Sequence, residues 1–376
     1  MSGGIPAARR PGFPLSRRHS LGVRLPLALV LALVGVTLLR GLGLGSVQPT
    51  SPLGWDYRGF NLPVWSVDGF YDSGPALRQL ADTGANSVTF VVTWYALNRY
   101  SPDIARTEQT ASDESLIWAI EQARSLGLRV MLKPHLDTRD HVWRAYINPS
   151  DAELWFRNYA ELLDHYADMA RQHGAAALCV GTELITLSTN PANEGHWRQL
   201  IAGVRVRFGG ALTYSANWGG GYGASEDFAG EYARIPFWDA LDYLGLSAYF
   251  EVADTATPTV AGMEARWGEW RATAIAPFQA RWNKPVLFTE GGYRSVDGAA
   301  SHPWDAAAPG LPDVQEQADC WEALFRSWRG VPWLAGGLFW AWSIQDIPAQ
   351  DTGYEVQNKP AYQVVATWFG GKGERP

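Results

Sequence analysis

Twice in this chain an unbroken apolar run of strand length ends in a glutamate. One stretch is Pro285-Val286-Leu287-Phe288-Thr289-Glu290-Gly291-Gly292-Tyr293, the other Ala177-Leu178-Cys179-Val180-Gly181-Thr182-Glu183-Leu184. Runs without alternation belong to strands covered on both faces, as in parallel sheets wrapped by helices. After Glu290 two glycines let the backbone turn away at once. A carboxylate at the end of a buried strand is costly unless it is paired or used. Glu183 and Glu290 are therefore the candidate chemical centre.

Further strands are expected at 58–62, 86–92, 128–133, 211–216, 241–247 and 336–341, which with 177–182 and 285–289 makes eight. Helical patterns separate most of them. The segment 113–126 opens on Ser112 with Asp113 and Glu114 and stops at Gly127; 151–173 runs from Asp151 to Gly174; 314–329 stops near Gly330. Eight strands alternating with helices predict an α/β chain folded as a (β/α)8 TIM barrel, a single catalytic domain over 57–369. A doubly wound sheet is the rival, but no glycine-rich nucleotide loop follows the first strand.

The front of the chain differs. Residues 1–20 are basic, and an apolar run of 15 residues, Leu25 to Leu39, lies between Arg24 and Arg40. As a helix it would span roughly 22 Å, short of the roughly 30 Å of a bilayer core. Segment 21–45 is expected to be a signal peptide or membrane anchor, with Arg9, Arg10, Arg17, Arg18 and Arg24 keeping the front end in the cytoplasm. The domain would then be extracytoplasmic, membrane-anchored or secreted, contacting membrane only through that segment if uncleaved. Residues 46–56 are expected to form a linker and 370–376 a tail.

The net charge of −7 leaves no basic footprint for nucleic acid. No Cys/His cluster has metal-ligand spacing, so neither metal nor other cofactor is expected. Cys179 and Cys320 are expected to be buried free thiols.

In such a barrel the active site lies at the C-terminal strand ends. Standing there are Thr93, Trp94 and Tyr95; Lys133, His135 and Asp137; Thr182 and Glu183; Asn217 and Trp218; Ser247 and Tyr249; Glu290; and Trp340 and Trp342. A carboxylate pair among aromatics and neutral hydrogen-bonding groups suits glycoside cleavage. One acid protonates the departing oxygen and one carboxylate stabilises or attacks the anomeric carbon. Trp94, Trp218, Trp340 and Trp342 are candidate sugar platforms. His135 is a candidate hydrogen-bonding subsite residue, and Lys133 either touches a sugar hydroxyl or pairs with a carboxylate in the mouth. Tyr249 is expected to donate to Glu290.

The segments Val91-Val92-Thr93-Trp94-Tyr95, Met131-Leu132-Lys133-Pro134-His135, Val180-Gly181-Thr182-Glu183-Leu184 and Phe288-Thr289-Glu290-Gly291-Gly292-Tyr293 resemble glycoside hydrolase family 113, in the same order. That family belongs to the retaining clan A of (β/α)8 hydrolases and acts chiefly as β-1,4-mannanases. The resemblance makes Glu183 the acid/base, Glu290 the nucleophile, and a β-linked polysaccharide the substrate. Most clan members carry Asn before the acid/base to hold the sugar 2-hydroxyl, where this chain has Thr182. Asn217 or His135 is the expected substitute. Two other readings use the same residues: a non-catalytic carbohydrate-binding barrel, and a transglycosylase of the cell envelope.

Overall fold

The computed structural model describes residues 51–219 and 230–371. The basic region 1–20, segment 21–45, residues 46–50 of the expected linker and 372–376 of the tail lie outside the described residues.

Eight strands form the barrel: β1 (Tyr57–Val64), β2 (Ser87–Ala96), β3 (Arg129–Thr138), β4 (Ala177–Thr182), β5 (Ala211–Asn217), β6 (Leu244–Ser247), β7 (Val286–Glu290) and β8 (Leu334–Phe339). Each pairs in parallel with the next, and β8 and β2 both pair with β1, which closes the sheet. The longer helices around them are α1 (Ser73–Asp82), α2 (Asp113–Ser125), α3 (Ala152–His173), α4 (Glu194–Arg207), α5 (Val260–Trp270), α6 (Val314–Trp328) and, after β8, α7 (Pro360–Phe369). The expected caps are present: Ser112 accepts from the Ser115 amide at the start of α2, and Gly174 ends α3 in the left-handed conformation. Between β5 and β6 the described helical residues are a single turn, Glu231–Arg234, and a 3-10 turn, Trp238–Ala240.

The apolar strands serve two layers. Residues such as Val130, Leu132, Val286 and Phe288 point outward into the main core under the helices. Tyr57, Met131, Ala177, Cys179, Leu287 and Leu338 fill the barrel floor. Above the floor the interior turns polar. The Ser215 hydroxyl lies 2.7 Å from that of Thr289 and 3.2 Å from that of Ser247. Cys179 and Cys320 are buried free thiols.

Residues 51–56 are not a linker. Leu53 and Trp55 are buried, the Trp55 ring lies 6.0 Å from Phe325, and the Ser51 hydroxyl donates to the Trp368 carbonyl at 2.9 Å. The polar and glycine residues around them hid two large apolar anchors.

Candidate active site

β2 and β3 run to Ala96 and Thr138, past their expected ends at 92 and 133. Side chains alternate along a strand, so this extension decides which residues face the mouth. On β3, Lys133, His135 and Asp137 share the parity of the inward Met131. On β2, Trp94 shares the parity of the outward Val88, Phe90 and Val92.

Glu290 ends β7 where the register with β6 shifts between Leu246 and Ser247. That irregularity turns a residue of outward parity into the mouth. Glu183 follows β4 across a comparable irregularity and takes φ 51°, a left-handed conformation uncommon for a side-chain-bearing residue. Its amide donates to the Ser215 carbonyl at 2.9 Å, tying it to β5.

Both carboxylates are buried, and the Glu290 charge bears on the ionisation of Glu183. Their environments push them apart. Burial raises the Glu290 carboxyl, but the Lys133 ammonium and His135 outweigh it and hold the group well below the usual carboxylate range. Lys133 Nζ forms an ion pair with Glu290 Oε1 and donates to the Thr289 carbonyl at 3.2 Å. Tyr249 donates its hydroxyl to Glu290 Oε2 at 3.2 Å. Glu183 is raised by burial and by the Glu290 charge, against smaller opposing effects of Arg144, Asn217 and Lys133. Asn217 Nδ2 donates to Glu183 Oε1 at 3.1 Å.

His135 is neutral: burial and the Arg144 guanidinium lower it to about 4. Arg144 Nη1 stands 2.9 Å from His135 Nδ1. A guanidinium can only donate, so Nδ1 accepts and the ring proton sits on Nε2. That nitrogen is 3.6 Å from Glu290 Oε1. The imidazole lies parallel to the half-buried Trp340 ring, centroids 6.2 Å apart. Arg144 also binds Asp137 through Nε at 2.9 Å and Nη2 at 2.8 Å. The Trp218 ring meets Tyr249 edge-on at 5.5 Å.

Glu183, Glu290, His135, Asn217, Tyr249 and Trp340 thus gather in the mouth, with Trp218 against Tyr249. Two expected sugar platforms face packing instead, and Lys133 takes the ion-pair role of the two expected for it. Trp94 faces the helices, its indole N–H donating to Tyr166 Oη on α3 at 2.9 Å. Trp342 is fully buried, donating to the Ala76 carbonyl of α1 at 2.9 Å with its ring 5.3 Å from Phe60. Lys133 is fully enclosed and used up as counter-ion to Glu290.

Sequence reading missed Arg144, on a short turn with no periodic signal, and the buried Glu231, which lies away from any strand end. Among the described residues, no three His, Cys, Asp or Glu side chains gather as metal ligands would.

Residues 66–360 match the sequence model of Glycoside Hydrolase Family 113. Sequence comparison with curated proteins finds no match. Among solved structures, the family-113 β-mannanase AaManA from Alicyclobacillus acidocaldarius, in complex with ManMIm, is 30% identical, with a TM-score of 0.72 over 83% of this chain and 96% of that one. A second family-113 β-1,4-mannanase is 26% identical, with a TM-score of 0.73 over 84% of this chain and 99% of that one. The endo-β-1,4-mannanase from Thermotoga petrophila, 11% identical with a TM-score of 0.54 over 87% of this chain and 78% of that one, shares the fold. The matched span takes in every strand that bears a mouth residue, and with it the chain belongs to glycoside hydrolase family 113.

Proposed function

We propose that this glycoside hydrolase is an exported endo-β-1,4-mannanase that works by double displacement, with Glu290 as nucleophile and Glu183 as acid/base. The observation that carries the reading is the opposite bias on two buried carboxylates: Lys133 and His135 hold Glu290 well below the usual carboxylate range, while burial and the Glu290 charge raise Glu183. The family-113 structures that this chain resembles are β-mannanases, which supports the substrate class.

In the first step a Glu290 oxygen attacks the anomeric carbon as the glycosidic C–O bond breaks, and the Glu183 proton passes to the departing oxygen. In the second step Glu183 takes a proton from water. The water oxygen attacks the same carbon and Glu290 leaves. Once Glu290 is esterified its charge is gone, the Glu183 carboxyl loses one cause of its raised affinity for protons, and it becomes the base the second step needs.

An endo mode is supported by a cleft of about 570 Å³ on the rim, bounded by Trp65, Tyr95, Trp143 and Asp137, the last of which Arg144 binds. Trp65 is 51% exposed there, as a ring that stacks on a sugar needs to be. Export is supported by the arginine-flanked apolar run ahead of the domain.

Glu183→Gln and Glu290→Ala, assayed for reducing ends on glucomannan, should each lose at least about 100- to 10,000-fold of turnover; Glu183→Gln should melt like the parent, and Glu290→Ala lower, because it leaves the buried Lys133 unpaired. Near-parental turnover in either variant removes that residue from its role. Hydrolysis of β-glucan or xylan in preference to mannan removes the substrate assignment alone.

A further inference from the structure

A third buried carboxylate stands behind the pair. Glu231 opens the one-turn helix Glu231–Arg234 and is fully enclosed. Its Oε1 accepts from the Ser188 hydroxyl at 2.5 Å and from the Tyr214 hydroxyl at 2.7 Å. Its Oε2 accepts from the Asn217 amide at 2.6 Å. Tyr214 Oη in turn accepts from the Leu184 amide at 2.8 Å. One side chain therefore ties down both backbone segments that carry the acid/base and its partner: Leu184, next to Glu183, and Asn217, whose carboxamide donates to Glu183. All three donors are neutral, and no ion pair to Glu231 occurs among the described residues.

Packing alone does not call for this arrangement. A buried carboxylate without a cation is expensive, and apolar residues in place of Glu231 and its donors together would fill the space at less cost. We propose that Glu231 is a positioning residue of the hydrolytic reaction, fixing the Asn217 carboxamide and the turn after β4 so that Glu183 meets the glycosidic oxygen. The inference rests on the assignment of Glu183 as acid/base.

The charges agree with this role. Burial raises the Glu231 carboxyl to about 7, against the pull of its three donors, and the Glu183 charge adds to the rise. The titratable groups facing Glu231 are Tyr214, which burial keeps protonated, and Glu183. Glu183 itself faces Glu290, Arg144 and Lys133. An ionised Glu231 helps Glu183 keep its proton. A neutral replacement loses that help and sets an amide N–H against a donor.

The test compares the full chain with Glu231→Gln and Glu183→Gln on two substrates: mannohexaose, whose leaving group needs a proton, and 2,4-dinitrophenyl β-mannobioside, whose leaving group does not. Glu231→Gln is expected to lose at least about tenfold more kcat/KM on mannohexaose than on the aryl glycoside, as displacement of a general acid should. The alkaline limb of its pH profile should also move to lower pH. Equal losses on both substrates with an unmoved alkaline limb would make Glu231 purely structural and overturn the inference. Should Glu231→Gln fail to fold, Tyr214→Phe carries the same comparison, since it removes the hydroxyl between Glu231 and Leu184. There too, equal losses overturn the inference. If Glu183→Gln itself shows no dependence on the leaving group, the acid/base assignment falls and takes this inference with it. A normal Glu183→Gln beside an indifferent Glu231→Gln overturns this inference alone.

Discussion

Lys133 decides the ionisation of the mouth. A lysine with no exposed surface is tolerable only beside an opposite charge, and Glu290 supplies it. The same contact holds Glu290 ionised, so it contributes stability above the ordinary carboxylate range that is lost as pH falls through the depressed value. Lys133→Met should remove both effects. Urea unfolding should register a loss of about 3–5 kcal/mol, the usual result of orphaning one member of a buried pair. The acid limb of kcat/KM should move to higher pH, because Glu290 would then take up a proton more readily. Much of this was legible in the sequence. Two apolar runs ending in glutamate found both carboxylates, and Tyr249 was assigned its partner from position alone. Lys133 was expected either to pair with a carboxylate or to touch a sugar hydroxyl, and the tryptophans were harder. Whether a strand-end residue meets sugar or packing depends on which side of the ribbon it occupies, and composition says nothing about that.

At the scale of elements, the joints between strands matter more than the strands. The runs 177–182 and 285–289 were readable as strands because every residue is apolar or small. β2 and β3 outran their expected ends because the residues beyond them are polar or aromatic and blur the signal. No sequence pattern announces a shifted register, yet such shifts before Ser247 and Thr182 aim both glutamates inward. The turn after β7 is equally exacting. Gly291 has φ 145°, and a Cβ on Gly292 would lie 2.2 Å from the Trp340 carbonyl oxygen. Gly292→Ala must push the end of β8 away, and with it the Trp340 ring that lies against His135. Overpacking of this kind costs about 1–3 kcal/mol, so a lowered melting temperature is expected. A raised KM on mannohexaose should accompany it, and a variant with parental KM would show that the Trp340 ring does not hold sugar.

At the scale of the molecule, the barrel shuts within residues 57–339, and α7 packs through Phe369 on Phe325 of α6 and Phe60 of β1. The eightfold alternation of the sequence foretold this closure, whereas the domain edge was drawn too late. Leu53 and Trp55 belong to the core. A fragment beginning at Ser51 should therefore match the full chain in melting temperature and kcat/KM. One beginning at Tyr57 should melt lower, because removing Leu53 and Trp55 strips apolar contacts worth several kcal/mol from α6 and β8. Comparing the two melting curves checks the boundary.

The bond from Ser51 to Trp368 also sets a direction. It joins the stretch leading into β1 to the last turn of α7, and both lie under the barrel floor, at the opposite pole from Glu183 and Glu290. A polymer too large to diffuse would be engaged at the pole opposite this bond.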